Sequence, residues 1–295
     1  MINSKNKKVG TQDSFGFHYV SSTYYVCDML RDGYKVIMIN GKNKKVGTQD
    51  SFGFHDVNAE ERQSMVNGVF SSVSKRYDIM NDLMSGGLHR LWKCELISQL
   101  NPPRSKIIFN MLDVAGGTGD IAIRAIKQGG SECRSTIYDI NPEMLDIGYT
   151  RVNNAGLADR IDLVEGNAEK LPFDDCQFDA YTISFGIRNV THIDLALQEA
   201  YRVLKPGGHF LCLEFSRTTV PILDYLYDFH SFKVIPRLGT WIVNDRASYQ
   251  YLVESIRKFP TQDQFSDFIC AANFEHVSYK NLTGGIAAIH SAWRI

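Results

Sequence analysis

A chain of 295 residues with 44% hydrophobic residues can bury one large α/β core with additions, or two small ones. Its 32 basic and 33 acidic residues nearly cancel, which gives no global reason to expect nucleic acid as a partner. The six cysteines are scattered without a CxxC and fit reduced thiols; the eight histidines lack ligand spacing, so no metal site is expected; no apolar run is long enough for a membrane span.

The chain begins with a repeat. Asn3–His18 reads NSKNKKVGTQDSFGFH, and Asn40–His55 reads NGKNKKVGTQDSFGFH, so only Ser4 and Gly41 differ. The unit is too short for a stacking structural repeat. A recent duplication or a fault of sequence assembly accounts for it more simply than a functional repeat. Residues 1–50 hold eight basic residues against four acids, with only one arginine, and match neither a transit peptide nor a signal peptide. Loose order is expected over residues 1–57.

From Asn58 the pattern turns helical. Met65, Val66, Val69, Phe70 and Val73 recur at three and four residues. Ser85-Gly86-Gly87 breaks the pattern, Leu88–Leu100 resumes it, and Pro102-Pro103 ends it. This helical preface can cap a ligand pocket. For Tyr77, Asp78 and Asn81, ordinary capping and packing compete with a role in such a pocket.

The organising stretch is Ile107–Arg124, IIFNMLDVAGGTGDIAIR. An apolar run ends at Asp113, a glycine cluster follows, and then a helical pattern: strand, tight turn, helix. Gly116, Gly117 and Gly119 let the backbone take restricted conformations and approach a ligand. The helix start leaves backbone N–H groups free for polar ligand atoms. By itself such a turn is compatible with a purely structural role. The acid before the glycines would repel a pyrophosphate, but it suits a ligand with a positive end. S-adenosylmethionine, with an ammonium, a sulfonium and no phosphate, meets that requirement.

Ser135–Ile140 reads as a second strand, ending near Asp139, and Asn141-Pro142 starts a helix. An acid at that strand end can accept both ribose hydroxyls of a nucleoside. Ile161–Glu165 is the third strand. Asn167 and Ala168, just after it, can face an adenine whose edge the backbone reads. Phe178–Ser184 is the fourth strand, and Phe185-Gly186-Ile187-Arg188-Asn189 leaves its end. Asp194–Leu204 reads as a helix closed by Lys205-Pro206-Gly207-Gly208: a lysine in the last turn, a proline stop and a glycine cap. Phe210–Phe215 is the fifth strand. Asp113, Asp139, Asn167 and Ser184 thus sit at the carboxyl ends of successive strands, where open parallel sheets bind ligands.

Pro221–Ile242 spaces Ile222, Leu223, Tyr225, Leu226, Phe229 and Phe232 as a helix, either a lid for a greasy substrate or a packed element. Tyr249–Phe259 and Gln262–Ala272 are further helices. His276–Asn281 and Ile286–Trp293, joined through Gly284-Gly285, form a closing hairpin.

From about Phe52 to Ile295 the chain resembles the ubiquinone/menaquinone-biosynthesis C-methyltransferases, their mitochondrial members in particular. The segments that carry this are VFSSVSKRYDIMNDLMSGGLHRLWK, LDVAGGTGDIA, DINPEMLDIG, GNAEKLPFDDCQFDAYTISFGIRNV, ALQEAYRVLKPGG and GGIAAIHSAWR. RYDIMNDLMS and FGIRN are specific to that family, whereas the glycine turn and LKPGG occur in many methyltransferases. The resemblance implies a Rossmann-like class I S-adenosylmethionine-dependent methyltransferase. That is an α/β fold with a seven-stranded, mostly parallel sheet, an antiparallel last strand and an N-terminal helical cap. The chain would divide into an extension at 1–57, the cap at 58–104, a cofactor-binding core at 105–216, and lid helices with the closing hairpin at 217–295.

The cofactor would be S-adenosylmethionine, held among Asp113, Gly116, Gly117, Thr118, Gly119, Asp139, Asn167, Ala168 and Ser184. The implied reaction is ring C-methylation of a polyprenylated benzoquinol, or of demethylmenaquinol in bacteria. Implied partners are other ubiquinone-biosynthesis enzymes in a multi-subunit complex, a peripheral contact with the matrix side of the mitochondrial inner membrane, and a second copy in a homodimer. Residues 1–39 inherit nothing from the resemblance. Action on another phenol or a sterol, and a mainly scaffolding role, are the competing assignments.

A sulfonium methyl is already activated, so the chemical demand falls on the acceptor carbon. A phenol titrates near pH 10, and its anion is the better carbon nucleophile. Arg188 and Asn189 are expected beside the ring oxygens, with Arg188 as a permanent cation for the phenolate. Asp78 or a water would take the proton, and Tyr77 would orient the ring. A structural salt bridge is the competing assignment for Arg188.

Overall fold

The structure is a computed structural model that describes residues 23–30, 33–40, 51–52, 55–56, 59–73, 81–82, 85–218 and 246–295. The chain divides into two compact units, residues 1–45 and 46–295. In the first, β1 (Thr23–Leu30) and β2 (Gly33–Asn40) pair antiparallel. The first copy of the repeat, Tyr77, Asp78 and the aromatic stretch Pro221–Ile242 lie outside the described residues.

The second unit opens with the short pair β3 (Ser51–Phe52) and β4 (His55–Asp56), then α1 (Ala59–Val73) and α2 (His89–Leu100). Helix α2 stops at Asn101, whose left-handed backbone (φ 46°) turns its N–H back to the Ile97 carbonyl. β5 (Phe109–Val114) then enters the sheet and the glycine turn leads into α3 (Asp120–Gln128). β6 (Cys133–Asp139), α4 (Pro142–Asn154) and β7 (Ile161–Glu165) follow. Asn141 starts α4 by accepting the Met144 N–H at 3.0 Å, with proline in the first turn. The chain then returns to the middle of the sheet as β8 (Phe178–Ser184) and continues through α5 (Ile193–Val203), β9 (Leu204–Phe215), α6 (Arg246–Lys258), α7 (Gln262–Ala271), β10 (Glu275–Leu282) and β11 (Ala287–Trp293).

The strands form one seven-stranded sheet in the order β10-β11-β9-β8-β5-β6-β7. β5 through β9 run parallel, and β11, the last in the chain, is antiparallel to both its neighbours. The expected mostly parallel sheet with an antiparallel last strand is therefore present. Strand order reverses between β5 and β8, which puts the switch-point crevice at Val114 and Ser184. Helices cover both faces. Ile121, Ala122, Ala125 and Ile126 recur along α3 and are buried against the sheet.

One boundary differs from the sequence reading. Helix α5 ends at Val203, and Leu204 is already extended (φ −72°, ψ 142°) and paired with Phe178. Lys205 is thus in β9, not in a last helical turn. The free carbonyls at the helix end are satisfied from far away. Arg294 Nη1 donates to Tyr201, Arg202 and Leu204 at 2.7–2.8 Å. Gly207, at φ +79°, returns its N–H to the Arg294 carbonyl.

Trp92 of α2 fixes the helical cap to the sheet. Its ring packs edge-on against Phe215 at 5.9 Å and tilted against Phe185 at 6.4 Å, and its Nε1 donates to Thr283 Oγ1 at 2.9 Å. Trp92→Ala is expected to lower unfolding stability by about 3–5 kcal/mol in equilibrium denaturant titration. A loss under about 1 kcal/mol would contradict this packing.

Candidate cofactor and substrate site

The site grows from two consecutive strand ends. β5 delivers the chain into Ala115 (φ +50°), Gly116, Gly117 (φ +47°), Thr118 and Gly119 (φ +77°). The Asp139 carboxylate at the end of β6 holds that turn. Its Oδ2 accepts the Gly117 N–H and its Oδ1 the Asn141 N–H, each at 2.9 Å. Gly117 is required here twice over: its φ is positive, and a Cβ would stand 3.0 Å from Met144 Cε. Burial pushes the Asp139 carboxyl up to about 6, against the pull of the backbone N–H groups from Asn141 and Gly117. Asp113 is fully buried. Its Oδ1 accepts the Thr182 hydroxyl at 2.7 Å, but its Oδ2 has no partner among the described residues. Burial pushes its carboxyl up to about 7.

Two cavities meet at this turn, and Ala115 lines both. The larger, about 690 Å³ and partly open to solvent, runs from Asp139, Asn167 and Ala168 to an apolar wall of Val66, Phe70, Phe185 and Val190. The smaller, about 320 Å³, is lined by Asp113, Gly116, Gly117, Thr118, Ser184 and residues of α2 and α3. Eight of the nine cofactor candidates therefore line one cavity or the other. Gly119 lines neither. It starts α3, and a Cβ there would meet Ile137 Cδ1 at 2.8 Å, so it serves the packing of α3 on β6.

The two carriers expected at the acceptor ring are placed differently from each other. Asn189 lines the larger cavity, and its Oδ1 accepts the Tyr251 hydroxyl at 3.1 Å. Arg188 lines neither cavity. It is 3% exposed, its Nη1 bonds Glu214 Oε1 at 2.7 Å and the Phe185 carbonyl at 2.6 Å, and its guanidinium lies 5.6 Å from the Phe215 ring centre. This is the salt bridge that competed for it. The partner comes from β9, whose register sets Leu213 beside Ser184 and brings Glu214 under the turn.

Two residues of this site went unread in the sequence. Arg62, 1% exposed on α1, donates to the carbonyls of Asn189 at 2.8 Å and Arg188 at 3.2 Å, and to Thr191 Oγ1 at 3.0 Å. It stands four and seven residues before Val66 and Val69, on the apolar stripe, and that position was a readable signal. Tyr251 of α6 gave no such signal.

The arrangement fits S-adenosylmethionine. The acid at the end of β6 could hold a ribose, the small residue after β7 would leave room for a base, and Asp113 Oδ2 and Ser184 Oγ, buried with no partner among the described residues, lie where polar ligand atoms would satisfy them. Among the described residues no group of three or more metal-ligating side chains occurs. Fold and site together define a class I S-adenosylmethionine-dependent methyltransferase.

Known proteins agree. Among solved structures, the S-adenosylmethionine-dependent methyltransferase of Thermotoga maritima aligns with a TM-score of 0.56 at 18% identity, covering 78% of this chain and all (100%) of that one. The [4+2]-cyclase SpnF aligns with a TM-score of 0.56 at 17% identity over 79% of this chain and 96% of its own. The chain belongs to the ubiE/COQ5 methyltransferase family, whose model matches residues 56–294. The ubiquinone/menaquinone biosynthesis C-methyltransferase UbiE of Rhodopseudomonas palustris is 58% identical over 240 residues, which is 81% of this chain and 95% of the relative. That of Nitrobacter hamburgensis is 59% identical over the same span.

The raised carboxyls set a pH dependence. With S-adenosylmethionine bound, an ionised Asp139 would accept the ribose hydroxyls and an ionised Asp113 would face the positive end of the ligand. Binding therefore favours the deprotonated forms. Affinity for S-adenosylmethionine should be full near pH 8, then fall as the pH drops through about 7 and about 6. In Asp139→Asn the lower component should vanish. Calorimetric titration between about pH 8 and about pH 5 checks this; a wild-type affinity that is flat across the range would contradict the ionised-acid account.

Proposed function

We propose that this protein transfers the methyl group of S-adenosylmethionine to a ring carbon of a polyprenylated 2-methoxy-benzoquinol in ubiquinone biosynthesis. The observation that carries the reading is the continuity of the ribose acid, Asp139, with the apolar wall of Val66, Phe70, Phe185 and Val190 in one cavity. A hydrophobic quinol ring there would lie beside the nucleoside. Membership of the ubiE/COQ5 family and the printed activity of the relatives support the reaction class.

The cofactor supplies an activated methyl group, so the chain's own residues serve position and charge. The Asn189 side-chain Oδ1 is taken by the Tyr251 hydroxyl, which leaves Nδ2 to donate to a ring oxygen and favour the phenolate. Arg188 and Glu214 hold the turn that carries Asn189 from below, and Arg62 holds its carbonyls from α1. In this reading Asp78 or a water takes the phenol proton and Tyr77 orients the ring.

The proposal extends to peripheral contact with the membrane that stores the prenylated substrate. Among the described residues no helix is long and apolar enough to cross it. Residence on the matrix side of the mitochondrial inner membrane, assembly with other enzymes of the route and a homodimer rest on the resemblance; the relatives reported above are bacterial.

The test is methyl transfer from labelled S-adenosylmethionine to a short-tailed, chemically reduced 2-methoxy-6-prenyl-benzoquinol. Label on a ring carbon is expected. Asn189→Ala should lower kcat by about 10²-fold while cofactor affinity stays within about twofold. Label on oxygen, or transfer to simple phenols in preference to the prenylated quinol, would overturn the assignment.

A further inference from the structure

The smaller cavity contains a cation that the mechanism above does not use. Lys93 reaches it from α2, 4% exposed, with Nζ 2.9 Å from Asp120 Oδ2. A buried lysine is rare unless its charge has a use there. Against burial, Lys93 and Arg124 both hold the Asp120 carboxyl below its ordinary value; because Arg124 Nε binds the other carboxylate oxygen at 2.6 Å, Asp120 keeps a cation of its own when Lys93 also serves a ligand. Lys93 carries three donors, and among the described residues its one acceptor is Asp120. Across the same cavity, Asp113 Oδ2 and Ser184 Oγ are buried with no partner among the described residues. Counting Arg124, which binds Asp120 from outside the cavity lining, the charges balance, with Lys93 at the α2 side and Asp113, whose Oδ1 accepts the Thr182 hydroxyl and whose Oδ2 has no partner among the described residues, at the β5 end.

A cavity with separated, balanced charges suits a zwitterion. The nucleoside end belongs to the larger cavity, by Asp139, Asn167 and Ala168, so the amino-acid end falls on the other side of the turn at Ala115. We propose that Lys93 binds the carboxylate of the amino-acid end of S-adenosylmethionine and sets the preference for ligands that carry it. The helix N-terminus at Asp120 adds its partial positive charge on the same side. The helical cap thereby senses the cofactor directly, because Lys93 belongs to α2 and not to the sheet. The proposal rests on Asp139 marking the ribose position.

Decarboxylated S-adenosylmethionine keeps the adenosine, sulfonium and ammonium and lacks only the carboxylate. The wild-type protein should bind S-adenosylmethionine at least about tenfold more tightly than this analogue, by calorimetry. Lys93→Met should weaken S-adenosylmethionine by about 10–100-fold and the analogue by less than about twofold, and Lys93→Arg should recover most of the loss. Equal weakening of both ligands would make Lys93 a purely structural tie to Asp120 and overturn the proposal. So would equal wild-type affinities, a comparison that requires no variant to fold. The quinol assignment is independent of these outcomes, since it is read by where the label goes.

Discussion

The Asp139 carboxylate is the interaction on which the site depends. One oxygen fixes the glycine turn after β5 and the other fixes the start of α4. Asn141, so held, caps α4 and turns its Nδ2 to Ser71 Oγ at 3.1 Å on α1. Sheet, turn and helical cap are therefore registered to a single group, which also faces the cavity. A carboxylate has about four acceptor directions, more than its backbone contacts use, so the anchor can still accept from a ribose.

That arrangement has an energetic consequence. A carboxyl raised on folding destabilises the folded state once it ionises. Below the ordinary carboxylate value of 3.8 the burial of Asp113 carries no charge penalty; as the pH rises towards its folded value of about 7 the penalty grows, and it is complete above that. Three units correspond to a cost on the order of 4 kcal/mol. A ligand with an ammonium group offsets part of it. Functional sites commonly hold such locally unfavourable groups, which the rest of the fold must support. Trp92, Phe185 and Phe215, which pack against one another at the ends of β8 and β9, belong to the apolar core that contributes that support.

Much of the frame was legible in the sequence because its signals are local. Ile161–Glu165 and Phe178–Ser184 are strands with the bounds that their flanking turn residues announce. Asp113, Asp139, Asn167 and Ser184 were singled out by their place at or just beyond strand ends, and each lines one of the two cavities. What failed to show was long-range. Arg188 meets Glu214 across 26 residues and Arg62 meets the turn across more than a hundred, through registers that periodicity does not encode. LKPGG misled for the same reason: a helix end that looks glycine-capped is capped by Arg294 from the far end of the chain.

Fold by itself does not decide the chemistry, since a [4+2]-cyclase shares it. The functional account stands on where a cofactor lies relative to Asp139 and the apolar wall. The most direct test is a crystal structure of the protein with S-adenosylhomocysteine. The ribose should lie on Asp139, the adenine beside Asn167 and Ala168, and the sulfur should face the space bounded by Phe185 and Asn189. A ribose away from Asp139, or a sulfur turned from that space, would contradict the account.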